Sequence, residues 1–335
     1  MQNLLVKLGV GALASALVLG TALDINAQSK TLIIYSGRDQ KLIGPLIEKA
    51  KKDLNLNIQV RYGDTAELAI ALLEEGNNSR ADMFFAQDAG ALGALQQRGR
   101  TLGIPLTILN KVDSRYRSPS GNWIGISGRA RVVNYNTKLV KGADLPKSIF
   151  DLTQPKWRGK VGWAPTNGSF QSFVTAMRKL NGDAKTVEWL RAMKANGTKN
   201  YGKNTAILEA IGRGEIQVGL ANNYYLSQFK KKDANFPVAV HYTRRDAGSM
   251  VNVAGVAVLK TTDQRQDVEK LINYLLSNSS QNYFAQQTTE YPLARGIAGP
   301  SGQIPINQLT PPNLDLGQLS DLQGTLRVMK QAGVL

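Results

Sequence analysis

Cysteine is absent from this 335-residue chain, and histidine occurs once, as His241. Without cysteine there are no disulfides and no thiolate chemistry, so stability must come from packing and hydrogen bonds. A zinc site normally takes several nitrogen or sulfur ligands, so a histidine-based zinc site is nearly excluded. No G-x-S-x-G motif, the signature of the α/β-hydrolase nucleophile, follows a predicted strand. We expect no enzymatic activity, and a secreted hydrolase dependent on His241 is the weakest alternative.

Negative charge is scarce, with 25 Asp and Glu against 41 Lys and Arg and a formal net charge of +16. Such an excess of positive charge favours a polyanionic partner. Nucleic acid is not expected, because the chain has no helix-turn-helix or base-stacking signature and its first residues predict export. An anionic membrane surface or an anionic metal chelate fits this charge better.

Long apolar runs are confined to the first residues of the chain. Lys7 precedes an apolar run, and the small-residue pattern INA ends at Ala27. This arrangement predicts a secretory signal peptide over residues 1–27 and a periplasmic location. A retained membrane anchor on the outer face of the inner membrane is the alternative, since the run is close to the lower length limit for a membrane span.

Strand and helix patterns alternate through the rest of the chain. TLIIYSGRD predicts a strand, and QKLIGPLIEKAKKDL has the apolar spacing of a helix. The pattern recurs in NIQVRYGDTAELAIALLEEG and in ADMFFAQDAGALGALQQRG. Three consecutive βα units predict a parallel sheet. A second set of elements follows SGRARVVNYN, and the strand in NVAGVAVLK is expected to return to the first sheet.

This organisation predicts an α/β protein of two lobes. We assign residues 28–128 plus 254–302 to the N-terminal lobe and residues 129–253 plus 303–335 to the C-terminal lobe. A ligand cleft is expected between the lobes, at the carboxyl ends of the strands.

Two adjacent tyrosines, Tyr224 and Tyr225, follow a predicted strand in LANNYYLSQF. Asn222 and Asn223 could cap a helix that starts there, so that both phenols turn toward one cleft. A free phenol has a pKa of about 10 and becomes a good ligand when a highly charged cation displaces its proton. Hard cations prefer oxygen donors, so the pair suggests ferric ion. Packing of the rings in a core or at its rim is the competing interpretation.

Seven motifs together resemble periplasmic ferric-ion-binding proteins of ABC iron uptake. They occur in the family's order: YSGRD, ADMFFAQDAGAL, SGRARVVNYN, PKWRGKVGWAPTNGSF, YGKNTAILEAIGRGEI, NNYYL and EYPL. The resemblance implies a type II periplasmic-binding-protein fold that closes on ferric ion and a synergistic anion such as carbonate or phosphate. It also implies an inner-membrane ABC permease as partner, and we expect a monomer.

The same resemblance implies the site residues. Tyr224 and Tyr225 match the family's iron ligands. The anion is expected at a helix start and its surroundings, which match Asn167, Gly168, Ser169, Asn204 and Asn222. Backbone donors and the helix dipole also favour an anion at a helix start.

The chain departs from the family at the first-lobe ligands. Asp39 and Gln87 occupy the positions of a histidine and a glutamate, and Phe170 occupies that of a further tyrosine. Asp39 is the candidate third metal ligand, although an aspartate after a strand more often caps a helix. Gln87 is expected to be a hydrogen-bonding rim residue. The third protein ligand is therefore left open.

Arginines are the candidates to hold a carbonate that fills the remaining metal positions. Arg38 and Arg129, with Arg131 beside them, are best placed in the sequence to hold a carboxylate-like anion through two hydrogen bonds. A surface or lobe-bridging role is the alternative for each. Tyr35 and Tyr62, at predicted strand ends, are reserve metal ligands whose alternative role is wall packing. A binding protein for a small oxyanion or an organic cation remains the alternative function.

Overall fold

The computed structural model describes residues 30–335 of the chain. The predicted signal peptide and the alternative of a retained anchor, both on residues 1–27, lie outside the described residues. Between residues 30 and 335, no helix is long and apolar enough to cross a membrane.

Ten strands form one sheet in residues 30–335. In chain order they are β1 (Leu32–Ser36), β2 (Ile58–Tyr62), β3 (Met83–Ala86), β4 (Ile124–Asn136), β5 (Val161–Trp163), β6 (Lys199–Asn200), β7 (Val218–Asn222), β8 (Val238–His241), β9 (Val251–Val258) and β10 (Tyr291–Pro292).

Eleven α-helices pack around these strands in the described part of the chain. They are α1 (Gln40–Leu54), α2 (Thr65–Glu75), α3 (Ala89–Gln97), α4 (Leu106–Leu109), α5 (Gly168–Asn181), α6 (Asp183–Ala195), α7 (Asn204–Gly212), α8 (Tyr225–Lys232), α9 (Arg265–Leu275), α10 (Asn278–Tyr283) and α11 (Leu322–Gln331). A π-helical turn at Phe284–Thr288 and several 3-10 turns connect them.

The first half of the sheet has the predicted parallel arrangement. β1 lies between β2 and β3 and is parallel to both. The four residues of β3 are all buried, as expected for a short apolar strand covered on both faces. β9 pairs antiparallel with β3, so the prediction that this strand returns to the first sheet is confirmed.

Helix ends in this half follow their local sequence. The Asp39 side chain accepts a hydrogen bond from the backbone nitrogen of Lys41 and caps α1, which ends at Asn55 in the left-handed conformation. Asp64 caps α2 in the same way, and that helix ends at Gly76, also at positive φ. Short-range capping therefore sets where these helices begin and end, and so how long the loops between strand and helix are.

The long strand β4 joins the two halves of the sheet. Its residues up to Ala130 pair with β9, and its residues from Arg131 onward pair with β7 and β8. β5 then lies parallel to β7 and to β6. The chain thus passes from one half to the other near Ala130 and Arg131. The exact lobe limits, 28–128 plus 254–302 and 129–253 plus 303–335, stay a prediction.

The C-terminal segment contacts both halves of the molecule. A 3-10 turn at Leu316–Ser320 packs on α3, and α11 packs on α5 and α6. Gly93 of α3 permits this approach, because a Cβ atom there would overlap the carbonyl oxygen of Gly317. On the other side, the buried Arg178 of α5 forms ion pairs with Asp183, at 2.8 Å, and with Asp321, at 3.0 Å. We call residues 316–331 the C-terminal strap.

Candidate metal and anion site

A turn after β7 carries the two tyrosines and is attached to β4. The backbone nitrogen of Asn223 donates to the carbonyl oxygen of Ala130 at 3.0 Å. The side-chain oxygen of Asn223 accepts from the backbone nitrogen of Ala130 at 2.9 Å. The predicted helix does begin at the tyrosines, but Tyr224 occupies its cap position without a side-chain hydrogen bond. The prediction that Asn222 and Asn223 cap this helix is therefore wrong, since Asn223 binds β4 instead.

The rings of Tyr224 and Tyr225 stack face to face. Their centroids are 4.2 Å apart at an interplanar angle of 29°, and both residues are half-buried. The hydroxyl of Ser227 donates to the carbonyl oxygen of Tyr224 at 2.7 Å, which fixes the turn. Neither residue is fully buried, and the stacking places the two phenols next to each other.

The protonation of Tyr224 depends on this crowded environment. Burial raises the pKa of its phenol well above the ordinary value of 10.0, the adjacent Tyr225 raises it further, and the charge of Arg129 acts in the opposite direction. The Tyr224 phenol is consequently protonated at neutral pH. A strongly charged cation could displace that proton.

A polar cluster surrounds the start of α5. The Asn167 side chain caps the helix and accepts hydrogen bonds from the backbone nitrogen of Ser169, at 3.0 Å, and from its hydroxyl, at 2.6 Å. The amide nitrogen of Asn204 donates to the Asn167 side-chain oxygen at 3.3 Å and to the Ser169 hydroxyl at 3.2 Å. Gly168 lies between them with open space where a Cβ atom would be. Residues far apart in sequence thus meet at one helix start.

Arg131 extends this cluster toward the tyrosines. Its guanidinium lies 3.4 Å from the Ser169 hydroxyl and 3.5 Å from the side-chain oxygen of Asn222. Burial lowers the pKa of Arg131 to about 9, and the nearby Tyr225 acts against that shift. Within residues 30–335 no carboxylate lies at ion-pair distance from Arg131. A buried cation without a carboxylate, next to a helix start, is an arrangement that suits an anion.

Two further arginines lie on the side of the first half. The Arg38 guanidinium is fully buried and donates to Glu290 at 2.8 Å and to the side-chain oxygen of Gln87 at 2.6 Å. Arg129 donates to the backbone carbonyl of Gln87. Gln87 therefore connects the two guanidiniums, and the charge of Arg129 reaches the Tyr224 phenol.

Comparison with known proteins identifies the kind of protein to which this arrangement belongs. Residues 78–306 match the family described as bacterial extracellular solute-binding proteins. The major ferric iron-binding protein of Neisseria meningitidis serogroup B (strain ATCC BAA-335 / MC58) is 30% identical over 308 residues, covering 90% of this chain and 93% of that protein. The chain belongs to the periplasmic ferric-ion-binding protein family.

Solved structures of related proteins share the fold. Iron-bound HitA from Pseudomonas aeruginosa has a TM-score of 0.81 at 32% identity, with 90% of this chain and 99% of that chain covered. The Trichodesmium protein IdiA (FutA), in complex with iron and citrate ligands, has a TM-score of 0.81 at 28% identity, with 91% and 99% covered. The predicted two-lobed α/β fold and the resemblance to this family are confirmed.

The residues that replace the family's first-lobe ligands make other contacts in this family member. Asp39 is exposed and serves as the cap of α1, which was the alternative interpretation. The Gln87 side chain binds Arg38. Phe170 is fully buried. The Tyr35 hydroxyl donates to Glu75 at 2.9 Å, which agrees with wall packing. Asp39 stays only a predicted metal ligand.

An aromatic wall supports the helix start in this family member. The rings of Trp163 and Phe170 have centroids 5.5 Å apart, and those of Phe173 and Trp189 lie 5.8 Å apart. The Arg131 guanidinium lies over the two phenylalanine rings, at 5.5 and 5.2 Å from their centroids. Cation–π contacts and close packing therefore hold Arg131 in place.

Glu290 is the residue of this family member's site that sequence reasoning did not select. It belongs to the quoted motif EYPL, and its carboxylate is buried against Arg38 and the Ser127 hydroxyl, at 2.8 and 2.7 Å. A signal was present, because a charged residue directly before a buried Tyr-Pro-Leu segment is rarely buried without a partner. Its partner could not be named, since Arg38 lies 252 residues earlier in the chain.

Proposed function

We propose that this protein is the solute-binding component of an ABC iron-uptake transporter and that it captures ferric ion in the periplasm. The single observation that carries the proposal is the stacked, half-buried Tyr224–Tyr225 pair beside the buried Arg131. The family membership supports the same function. The protein transports its cargo and catalyses no reaction.

Each part of the site has a chemical role in this proposal. Tyr224 and Tyr225 bind the metal as phenolates once the cation has displaced their protons. A small dianion, carbonate or phosphate, binds at the start of α5, next to Arg131. The predicted anion contacts are Asn167, Gly168, Ser169, Asn204 and Asn222, together with Arg129 from the first half. Arg38 is already held by Glu290 and Gln87, so its contribution is to position Arg129.

Capture depends on the connection between the two halves. The tyrosine turn is attached to β4, which belongs to both halves of the sheet. Metal and anion together stabilise the arrangement in which both halves contact them, by their differential affinity for it. A permease in the inner membrane would recognise that form. Release requires reduction of the metal, loss of the anion or protonation of the phenolates, since each weakens oxygen ligation.

Titration of the purified protein with ferric citrate tests the proposal. We expect a visible phenolate-to-iron charge-transfer band in the wild type and none in the double variant Tyr224→Phe, Tyr225→Phe. The matched control is Tyr201→Phe, Tyr274→Phe, because those hydroxyls bind surface carboxylates, Glu215 and Asp53, outside the site. The control should keep the band. A wild type without colour, or a double variant that keeps it, contradicts iron binding by this pair.

The alternative of a small-oxyanion binder has one observation in its favour. The cluster at the start of α5 is complete without the tyrosines, because Asn167, Ser169, Asn204 and Arg131 already contact one another. Calorimetric titration with phosphate in the absence of metal separates the two functions. Tight phosphate binding that ferric ion does not strengthen would favour the alternative.

A further inference from the structure

Buried positive charges outnumber buried negative charges near the tyrosine pair. Arg38, Arg129 and Arg131 are each at most 5% exposed, and Glu290 is the carboxylate that contacts this group within the described chain. A buried charge is costly unless an opposite charge or hydrogen bonds compensate it. One guanidinium is therefore matched by a carboxylate, and the other two, Arg129 and Arg131, have only neutral hydrogen-bond partners.

Glu290 compensates one particular guanidinium. Its carboxylate accepts from Arg38 at 2.8 Å and from the Ser127 hydroxyl at 2.7 Å, and both its side chain and that of Arg38 are at most 2% exposed. Arg38 also contacts the Gln87 side chain, and the Gln87 carbonyl accepts from Arg129. The carboxylate is thus linked to the arginine whose charge acts on Tyr224.

The Arg38–Glu290 pair and Arg129 form one connected group of charges, joined by Gln87. Arg38, Arg129 and Glu290 are therefore within electrostatic reach of one another. Changing one of them changes the potential that an incoming anion experiences.

A charge balance shows what the anion must supply. Ferric ion with two phenolates has one net positive charge, and Arg129 and Arg131 add two. A dianion leaves one positive charge in the buried site. Without Glu290, Arg38 would add another, and an anion with more negative charge would be favoured.

We propose that Glu290 is a specificity-determining residue, which sets the charge of the anion taken up with the metal by compensating Arg38. This inference rests on the proposed function and deepens it. Glu290 touches neither metal nor anion in this proposal. It acts through Arg38, and so through the amount of positive charge left for the anion.

The test compares two anions of different charge on the same iron-loaded protein. Phosphate and citrate are titrated separately, and the charge-transfer band gives the half-saturating concentration of each. The measured quantity is the citrate-to-phosphate ratio of these concentrations. Because general damage to the site weakens both anions alike, the ratio isolates the preference for charge.

The two single variants should shift the citrate-to-phosphate ratio in opposite directions, and the double variant should cancel both shifts. Glu290→Gln leaves Arg38 uncompensated and should lower the ratio about tenfold, in favour of citrate. Arg38→Gln leaves the carboxylate uncompensated and should raise the ratio about tenfold. The double variant Arg38→Gln, Glu290→Gln removes both charges and should return the ratio to within about threefold of the wild type. Glu290→Asp keeps the charge, so its ratio should also lie within about threefold of the wild type.

A surface variant provides the control, and several results would overturn the inference. Glu269→Gln removes a carboxylate paired with Arg265 at the surface, and should not change the ratio. Equal ratios in the wild type and both single variants overturn the proposal, as does a double variant that keeps the shift of Glu290→Gln. If one single variant does not fold, the other and the double variant still decide. A wild type without any band contradicts the proposed function itself.

Discussion

Asp88 and Ser172 are joined by a hydrogen bond of 2.5 Å, although they belong to different halves of the molecule. Asp88 caps α3 by accepting from the backbone nitrogen of Gly90, and it also accepts from Asn252 of β9 at 3.2 Å. Ser172 lies on α5, three residues after Ser169 of the anion cluster. The helix that carries the predicted anion contacts is thus tied to the first half within one turn of its start.

Replacing Ser172 with Ala should weaken this tie without damaging either half. Asp88 keeps two other donors in the variant, so no buried charge is left without a partner. A hydrogen bond to a charged group contributes about 1.5 to 3 kcal/mol, and we expect ferric affinity to fall by roughly tenfold or more. Ferric titration and small-angle scattering of the metal-free protein measure the effect. Ser120→Ala, which loses an exposed contact with Asn122 within the first half, is the control.

Unchanged affinity and an unchanged radius of gyration in Ser172→Ala would contradict this role. The bond would then be a local feature of α5 with no part in holding the halves together. A change that also occurs in Ser120→Ala would point to general destabilisation instead.

Arg131→Met should change stability and anion binding in opposite directions. A fully buried guanidinium without a carboxylate destabilises the anion-free fold, so an apolar side chain of similar length should raise its melting temperature. The same change removes the positive charge beside the α5 helix start, so phosphate should bind at least tenfold more weakly. Thermal unfolding with and without phosphate measures both effects. A lower melting temperature without phosphate would contradict the stability prediction, and unchanged phosphate binding would contradict the anion role.

Gly93→Ala should loosen the C-terminal strap. The new Cβ atom would overlap the Gly317 carbonyl, and overpacking of this kind typically costs about 1 to 3 kcal/mol. Urea unfolding should therefore show a lower midpoint. Gly103→Ala is the matched control, because no atom lies within 4 Å of a Cβ atom at that glycine. Equal midpoints for the two variants would show that the strap adapts without strain.

The Arg38–Glu290 pair should make the protein less stable in acid. Burial alone raises the pKa of Glu290, but the charges of Arg38 and Arg129 and the hydrogen bonds from Ser127 and Arg38 outweigh it, so the folded-state pKa lies below the ordinary value of 4.5. A lowered carboxylate pKa contributes stability above the unfolded-state value, and that contribution disappears as the pH falls through the folded-state value. Stability should accordingly decline below about pH 4.5.

Denaturant midpoints between pH 7 and pH 3 check this expectation. The double variant Arg38→Gln, Glu290→Gln has no such carboxylate, so its midpoint should change less over the same range. Parallel curves for the wild type and the double variant would assign the acid sensitivity to other groups.

The features that the sequence predicted are those encoded by neighbouring residues. The segment QKLIGPLIEKAKKDL coincides with α1, because apolar spacing and the Asp39 cap are local signals. The tyrosine turn was also found locally, since an apolar strand leads directly into it. Asp39 shows the limit of such reasoning, because one aspartate after a strand fits both a cap and a ligand.

The missing features depend on contacts between distant residues. Arg38 and Glu290 are separated by 252 positions, and nothing near either residue specifies the other. β4 mixes Gly, Ser, Arg and Asn with apolar residues without a regular alternation, so its role in both halves follows from pairing with β7 and β9, not from its own pattern. The packing of the strap on α3 depends in the same way on a glycine that only tertiary structure makes necessary.

The aromatic wall beneath α5 gives the protein an optical reporter of its own. All four tryptophans are buried, and Trp163 lies directly under the helix that carries Asn167 and Ser169. Trp123 precedes the strand shared by both halves, so emission from these two indoles senses different events. In variants that keep one tryptophan and carry phenylalanine at the other three positions, Trp163 can therefore follow occupancy of the helix start and Trp123 bending of the shared strand, without any attached dye.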